Sequence, residues 1–102
     1  PYDAAAFQAA QAEGKAIIVE VMGQMCPTCR YQRAALDGFY RQAEFDHLTV
    51  FRIDFDAQRE VARGFNVNSQ GTLIGFRHGK EVARAVGETE AKYIAGFLRR
   101  MN

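Results

Sequence analysis

An apolar run leads into two closely spaced cysteines in the stretch Ile17-Ile18-Val19-Glu20-Val21-Met22-Gly23-Gln24-Met25-Cys26-Pro27-Thr28-Cys29. The first six residues are nearly all apolar and rich in β-branched side chains, which predicts a strand covered on both faces. Gly23 and Gln24 then break the strand. Pro27 suits the first position of a helix, where a missing N–H costs nothing. This stretch therefore predicts a buried strand that turns into a helix at Cys26.

The two cysteines are predicted to be a reactive pair, since only two residues separate them. They are too few for a disulfide framework, and His47 and His78 lie too far away in sequence to complete a zinc site. At a helix N-terminus, the N–H groups and the positive end of the helix dipole stabilise a thiolate. We therefore expect Cys26 to attack a disulfide and Cys29 to resolve the mixed disulfide. Thr28 adds no charge, so the direction of net transfer stays open.

The remainder of the chain alternates between helical and strand patterns. Apolar residues spaced by three and four predict helices, and runs rich in β-branched residues predict strands. We expect helices at 4–13, 27–41 and 58–63 and a last one after 89, with strands at 16–22, 48–55, 72–77 and 81–86. His78-Gly79-Lys80 joins the last two strands in a hairpin signature. The expected order is α-β-α-β-α-β-β-α, which is typical of an α/β layer structure.

Some local features of these helices are also predicted. Asp56 and Thr89 carry side-chain oxygens suited to capping the third and fourth helices. The helix after the cysteines is expected to face inward with an apolar stripe at the 3.6-residue period. That stripe comprises Tyr31, Ala34, Ala35 and Phe39.

Composition and charge argue against several function classes. The 13 Lys and Arg residues are dispersed and balanced by 12 Asp and Glu, so nothing indicates binding to nucleic acid or to an anionic membrane. No apolar run approaches the roughly 20 residues that a membrane span needs. No signal-peptide pattern opens the sequence. The length fits one domain over residues 1–102.

Two later segments belong with the opening stretch: Thr72-Leu73-Ile74-Gly75-Phe76-Arg77-His78-Gly79 and the pair Val86-Gly87. Together the three segments resemble the thioredoxin-like family. The resemblance implies an α/β thioredoxin-like fold with a central mixed four-stranded sheet flanked by helices, the family's first strand being absent. The first two strands would be parallel and the last two antiparallel. It also implies a thiol–disulfide oxidoreductase that exchanges disulfides with protein substrates and with a thiol electron donor or acceptor. Such a protein is expected to be a monomer and to need no cofactor besides its Cys26–Cys29 disulfide.

The same resemblance implies a proton relay beside the cysteines. Glu20 matches a buried family acid that moves a proton to or from the resolving cysteine, and Arg52 matches a family lysine near that acid. Burial suits such an acid because removal from water favours its protonated form. The alternative is that Glu20 and Arg52 form an ion pair at the end of the sheet.

Substrate contacts are implied on both sides of the cysteine pair. They would involve Met25, Pro27, Thr28, Gln70, Gly71 and Thr72. Met25 stands where the family usually has a tryptophan, and Gly71 where it has a cis-proline that faces the dithiol. A cis bond before a non-proline residue costs about 2.5–4 kcal/mol, so we expect a trans bond before Gly71.

Other functions stay open at this point. Loss of the family proline favours zinc or iron–sulfur ligation by Cys26 and Cys29, with two chains sharing the metal in a bridged dimer. A redox-silent peptide-binding module is a further alternative. Residues 1–15 resemble the mature starts of exported bacterial relatives, which favours the periplasm slightly over the cytoplasm.

Overall fold

Four strands and four α-helices organise the chain, which the computed structural model describes from residue 1 to residue 102. The strands are β1 (Ile17–Met22), β2 (Thr49–Asp54), β3 (Thr72–Arg77) and β4 (Lys80–Val86). The helices are α1 (Ala4–Ala12), α2 (Pro27–Tyr40), α3 (Arg59–Gly64) and α4 (Ala91–Arg99), with a 3-10 turn at Ala43–Phe45. No helix combines the length and the apolarity that crossing a bilayer requires.

The strands form one mixed sheet in the order β2-β1-β3-β4. β1 pairs in parallel with β2 and antiparallel with β3, and β3 pairs antiparallel with β4. The expected mixed sheet, with its parallel first pair and antiparallel last pair, is therefore confirmed. All six residues of β1 are buried, as the apolar run predicts for a central strand covered on both faces.

The two faces of β1 carry different parts of the core. Ile18 and Met22 point toward the side of the sheet covered by α2 and α4, where they pack with the two cysteines. Val19 and Val21 point to the opposite side, against residues of α1 and α3. Because side chains alternate along a strand, Glu20 shares the α2 side with Ile18 and Met22. β1 thus delivers Glu20 to the same layer as the cysteines.

The predicted inward stripe of α2 is wrong in part. Tyr31 is 69% exposed and Ala34 is also exposed, whereas the buried residues of α2 are Cys29, Gln32 and Leu36. The inward face therefore begins at Cys29 and continues at Gln32 and Leu36, which lie three and seven residues further along the helix. Counting only apolar residues concealed this face, because Gln32 is polar.

Two predicted helix caps are also wrong. The residue before α4 is Glu90 rather than Thr89, and no side chain caps this helix. The residue before α3 is Gln58 rather than Asp56. The N–H of Asp56 instead donates to the side chain of Asp54 at the end of β2, so a turn fills the space where the helix was expected to begin.

Candidate active site

Cys26 and Cys29 form a disulfide where β1 gives way to α2, with their Cα atoms 5.2 Å apart. Cys26 is the N-cap residue of α2, with an extended backbone, and Pro27 occupies the first turn of the helix. The main-chain N–H of Cys29 donates to the Sγ atom of Cys26 at 3.2 Å. The Cys26 sulfur therefore takes the place that a capping oxygen occupies in other helices.

This position favours negative charge on Cys26. The sulfur receives one N–H group directly and faces the positive end of a 14-residue helix. Both effects stabilise a thiolate relative to a thiol, which is how cysteines at helix N-termini become nucleophilic near neutral pH. Both cysteines are largely buried, and Cys26 is the more accessible of the two.

Gly71 lies against the cysteines from the loop that precedes β3. The chain has no cis peptide bond, so the expected trans bond before Gly71 is confirmed. The residue adopts φ +82°, and its N–H donates to the carbonyl of Val21 at 2.8 Å. Its own carbonyl accepts from the N–H of Gly87 and from the side-chain amide of Gln32, each at 3.0 Å. Proline could satisfy neither this φ nor this donor.

Gln32 is a site residue that the sequence analysis missed. It is fully buried on α2, one turn after Cys29, and its Nε2 atom holds the Gly71 carbonyl. A residue three positions after a helical cysteine shares its face. Counting from Cys29, rather than from the apolar residues, would have found it.

The remaining substrate residues expected from the sequence differ in accessibility. Met25 is 90% exposed, Pro27 is exposed and Thr28 is partly buried beside the disulfide. Thr72, by contrast, is buried, and its hydroxyl donates to the carbonyl of Ser69 at 2.7 Å. The side chain of Thr72 thus stabilises the loop from within.

Gln70 contributes in two ways to the surface beside the disulfide. Its side chain lies over Gly23, in the turn between β1 and the cysteines. Its main-chain N–H and C=O groups make no hydrogen bond within the chain. An extended segment could therefore pair with the main chain at this position.

Glu20 is fully buried on β1 and is held by two side chains. Arg52, its neighbour in register on β2, donates from Nε to one carboxylate oxygen at 2.9 Å. The hydroxyl of Tyr40 donates to the other oxygen at 2.7 Å. Arg52 also donates to Asp37 at 2.7 Å. We call these four residues, Glu20, Asp37, Tyr40 and Arg52, the carboxylate cluster.

The charges of the carboxylate cluster fix two protonation states. Burial, followed by the negative charge of Glu20, raises the pKa of Tyr40 far above its ordinary value. Burial alone would lower the pKa of Arg52, but Glu20 and Asp37 outweigh it and raise this pKa. Tyr40 therefore remains a donor and Arg52 remains a cation throughout the physiological range.

A cavity of about 710 Å³ opens beside the disulfide and connects it with the carboxylate cluster. Cys26 and Cys29 line one part of it, and Asp37 and Arg52 line another. Glu20 is not part of this lining, because it lies behind Arg52. Asp37 and Tyr40 were also missed by the sequence analysis, since their contacts with β1 and β2 come from distant parts of the chain.

The structure groups no three His, Cys, Asp or Glu side chains in a way that could hold a metal ion.

Comparison with known proteins gives a consistent result. The family model described as Thioredoxin matches residues 2–100. Thioredoxin-1 of Saccharomyces cerevisiae is 32% identical, over 86% of this chain and 84% of its own length. The thioredoxin of Mycobacterium bovis is 35% identical over 86% of this chain and 72% of its own.

Solved structures share the fold over nearly the whole chain. The crystal structure of Trxlp from Edwardsiella tarda has a TM-score of 0.93 and 40% identity, covering 96% of this chain and 95% of its own. Fasciola hepatica thioredoxin has a TM-score of 0.83 at 24% identity, covering 97% and 94%, which shows the fold alone. With a disulfide-forming cysteine pair at the N-terminus of α2, the chain belongs to the thioredoxin family and is a thiol–disulfide oxidoreductase.

Proposed function

We propose that Cys26 is the nucleophile and Cys29 the resolving cysteine in disulfide exchange with polypeptide substrates. The observation that carries this assignment is the Cys26 sulfur at the N-cap of α2, where it accepts the N–H of Cys29. Cys29 lies inside the helix and is more buried, so it meets only a disulfide already formed on Cys26. The partners are protein disulfides and a thiol electron donor or acceptor.

The exchange proceeds in two displacements at sulfur, between the two cysteines and the two sulfurs of the substrate disulfide. The Cys26 thiolate attacks one sulfur of the substrate disulfide, whose S–S bond breaks and releases a substrate thiolate. Cys29 then gives up its proton, which Glu20 is proposed to accept, and attacks the Cys26 sulfur. This forms the Cys26–Cys29 disulfide and expels the second substrate thiolate. The substrate gains two electrons and the protein loses two, and the reverse sequence oxidises a substrate dithiol.

The surface around the disulfide supports a polypeptide substrate. Met25 provides an exposed, flexible apolar contact. The unpaired main chain of Gln70 offers strand-like hydrogen bonds on the other side of the cysteines. Pro27 and Thr28 form the rim between them. Gly71 and Thr72 act differently in this proposal, because both are buried and shape the loop that presents Gln70.

Glu20 is proposed to manage the proton of Cys29. It shares the α2 side of the sheet with the cysteines, and the cavity beside the disulfide reaches its partner Arg52. Water in that cavity would reach Arg52, and a shift of the Arg52 side chain would open the remaining route to the Glu20 carboxylate. Arg52 acts here as a positioning residue, since it fixes one oxygen of Glu20 and is itself fixed by Asp37.

The assignment of the two cysteines is tested by reduction of insulin disulfides with dithiothreitol, comparing Cys26→Ser with Cys29→Ser. We expect both variants to lose catalysis. When the reduced variants are incubated with insulin after removal of dithiothreitol, only Cys29→Ser should accumulate a mixed disulfide, which mass spectrometry detects, because it keeps the nucleophile and lacks the resolving thiol. Trapping by Cys26→Ser instead would reverse the assignment. A wild-type protein without activity would indicate the redox-silent module.

The metal-binding alternative has its own test. Zinc and iron content and visible absorbance are measured on the purified wild-type protein and on Cys26→Ser. We expect no stoichiometric metal in either protein. A coloured dimer with stoichiometric iron that is lost in Cys26→Ser would show that the cysteines serve a metal centre.

A further inference from the structure

Gln32 carries a buried acceptor that the disulfide form leaves unused. Its side chain is fully buried, and its Oε1 atom is the one buried side-chain N or O atom without a hydrogen-bond partner. The orientation of the amide is fixed by the Nε2 bond to the Gly71 carbonyl. Exchanging the two amide atoms would place an oxygen against that carbonyl oxygen, and neither can donate.

The unused oxygen lies close to the resolving cysteine. A Cβ atom built on Gly71 would be 3.4 Å from Gln32 Oε1 and 3.9 Å from Cys29 Sγ. Both atoms therefore border the same small space, which no side chain from Gly71 fills. Cys29 and Gln32 are also one turn apart on the same face of α2.

We propose that Gln32 Oε1 accepts a hydrogen bond from the Cys29 thiol when the disulfide is reduced. Reduction breaks the Cys26–Cys29 bond with two electrons, and Cys29 takes up a proton. The resulting S–H group is a donor that can bond to the unpartnered Oε1 atom of Gln32. Burying an acceptor without a partner is unfavourable, so this bond stabilises the reduced protein. It also keeps the proton on Cys29, which leaves the negative charge on Cys26. Gln32 is thus a positioning residue, and this role rests on Cys29 being the resolving cysteine.

The bond is tested by infrared spectroscopy of Cys26→Ser, in which Cys29 is the only thiol. We expect the S–H stretching band at a frequency lowered by hydrogen bonding. Adding Gln32→Met, which keeps the volume and removes the strong acceptor, should move the band to higher frequency. Leu36→Met, one turn further along the same buried face, is the control and should leave it unchanged. A band that Gln32→Met does not move would overturn the proposal.

A second variant preserves the test if Gln32→Met does not fold. A glutamic acid at position 32, protonated in this buried site, keeps both the donor to Gly71 and the acceptor for Cys29. We therefore expect Gln32→Glu in the Cys26→Ser background to retain the low-frequency S–H band at acidic pH. A high-frequency band in this variant would contradict the proposal.

The thiol pKa separates this role from simple packing. A hydrogen bond to the neutral thiol raises its pKa, so Gln32→Met should lower the pKa of Cys29 in the Cys26→Ser background. If Gln32 served only packing, the substitution would leave the pKa of Cys29 unchanged or, through the more apolar pocket, raise it. Either result would contradict the hydrogen bond.

The redox equilibrium gives an independent readout in protein with both cysteines. We expect Gln32→Met to shift the exchange equilibrium with glutathione about tenfold toward the disulfide, a change of about −30 mV in reduction potential. An unchanged or less negative potential would contradict the proposal. Loss of the mixed disulfide in Cys29→Ser would instead remove the proposed cysteine roles, so the two failures are distinguishable.

Discussion

At the scale of single residues, Gly71 has the tightest constraints near the disulfide. Its positive φ lies in the left-handed region, which L side chains rarely adopt, and its N–H and C=O make three hydrogen bonds. These bonds join the loop to Val21, Gly87 and Gln32. In the proposed function, a backbone anchored in this way would present Gln70 to a substrate without the proline expected from the family.

Replacing Gly71 with the family's proline is therefore expected to destabilise this chain. Gly71→Pro removes the donor to Val21 and forbids the observed φ, at a cost of about 2–4 kcal/mol in the free energy of unfolding. Gly71→Asn, which tolerates a positive φ and keeps the N–H, should cost less. Urea denaturation of the two variants checks the order. A proline variant as stable as wild type would mean that the loop readily adopts the family geometry.

The residue scale also shows how far sequence alone reaches. The reactive cysteines and the trans bond at Gly71 were predictable, because both follow from local chemistry. Gln32 and its contact with Gly71 were not, since 39 residues separate them and a buried glutamine resembles a surface residue in a sequence. Polar residues that serve a buried site are concealed from any search for apolar periodicity.

At the scale of elements, helix α2 organises the whole site. Its first turn carries the disulfide, its second turn carries Gln32, and its later turns carry Asp37 and Tyr40. The position of this helix was predictable from the Pro27 start, but its rotation was not, because Tyr31 suggested the wrong inward face. The carboxylate cluster depends on that rotation, so two of its members escaped prediction.

Tyr40 makes the stability of this assembly depend on alkaline pH. Its folded-state pKa is raised by burial and by Glu20, so the unfolded chain loses the tyrosine proton first, near pH 10. The stabilisation is complete below pH 10 and falls above it, by up to about 1.4 kcal/mol per pH unit. Tyr40→Phe should therefore flatten the decline in unfolding free energy between pH 10 and 11, although it is less stable at pH 8.

Chemical denaturation at a series of pH values checks this dependence. Arg52 and Asp37 also face Tyr40, so both are left unchanged in the variant. Tyr93→Phe, at an exposed position on α4, is the matched control. Equal slopes for Tyr40→Phe and wild type would show that the Tyr40 proton does not contribute to the alkaline decline.

In the proposed function, Glu20 takes the proton of Cys29 and so connects the carboxylate cluster to disulfide exchange. We expect Glu20→Gln to slow resolution of the mixed disulfide by about 10²-fold, because the amide cannot take the proton of Cys29. Rapid-quench measurement of mixed-disulfide decay gives this rate. Asp37→Asn is the control, since it weakens the hold on Arg52 but keeps the Glu20 carboxylate. Similar small effects in both variants would support the ion-pair interpretation instead.

At the scale of the whole molecule, the sheet divides the interior into two packed layers that meet at β1. The layer opposite the site contains edge-to-face aromatic contacts centred on Phe7. The centroid of its ring lies 5.3–5.5 Å from the ring centroids of Phe51, Phe65 and Phe76. The layer on the site side contains the cysteines and α4. The sheet topology was predictable because the strand patterns and the family resemblance agree. The packing of side chains in the two layers was not predictable, since it depends on contacts between distant segments.

Gly75 and Met101 show how closely the site-side layer is packed. A Cβ atom on Gly75, in β3, would collide with the sulfur of Met101, which is buried just after α4. Gly75→Ala should therefore cost about 1–3 kcal/mol through overpacking, measured by urea denaturation.

Met101→Ala should cost about 2–5 kcal/mol on its own, because it leaves a cavity. In the double variant the new methyl group occupies part of that cavity, so the combined loss should be smaller than the sum by at least about 0.5 kcal/mol. Gly96→Ala is the control, because it has no atom within 4 Å of the added methyl group and lies in α4, where alanine is favoured by about 0.5–1 kcal/mol. If the losses in unfolding free energy of the Gly75 and Met101 variants were strictly additive, the segment that carries Met101 would be able to move away from the new methyl group freely. This layer would then not hold α4 in place over the sheet.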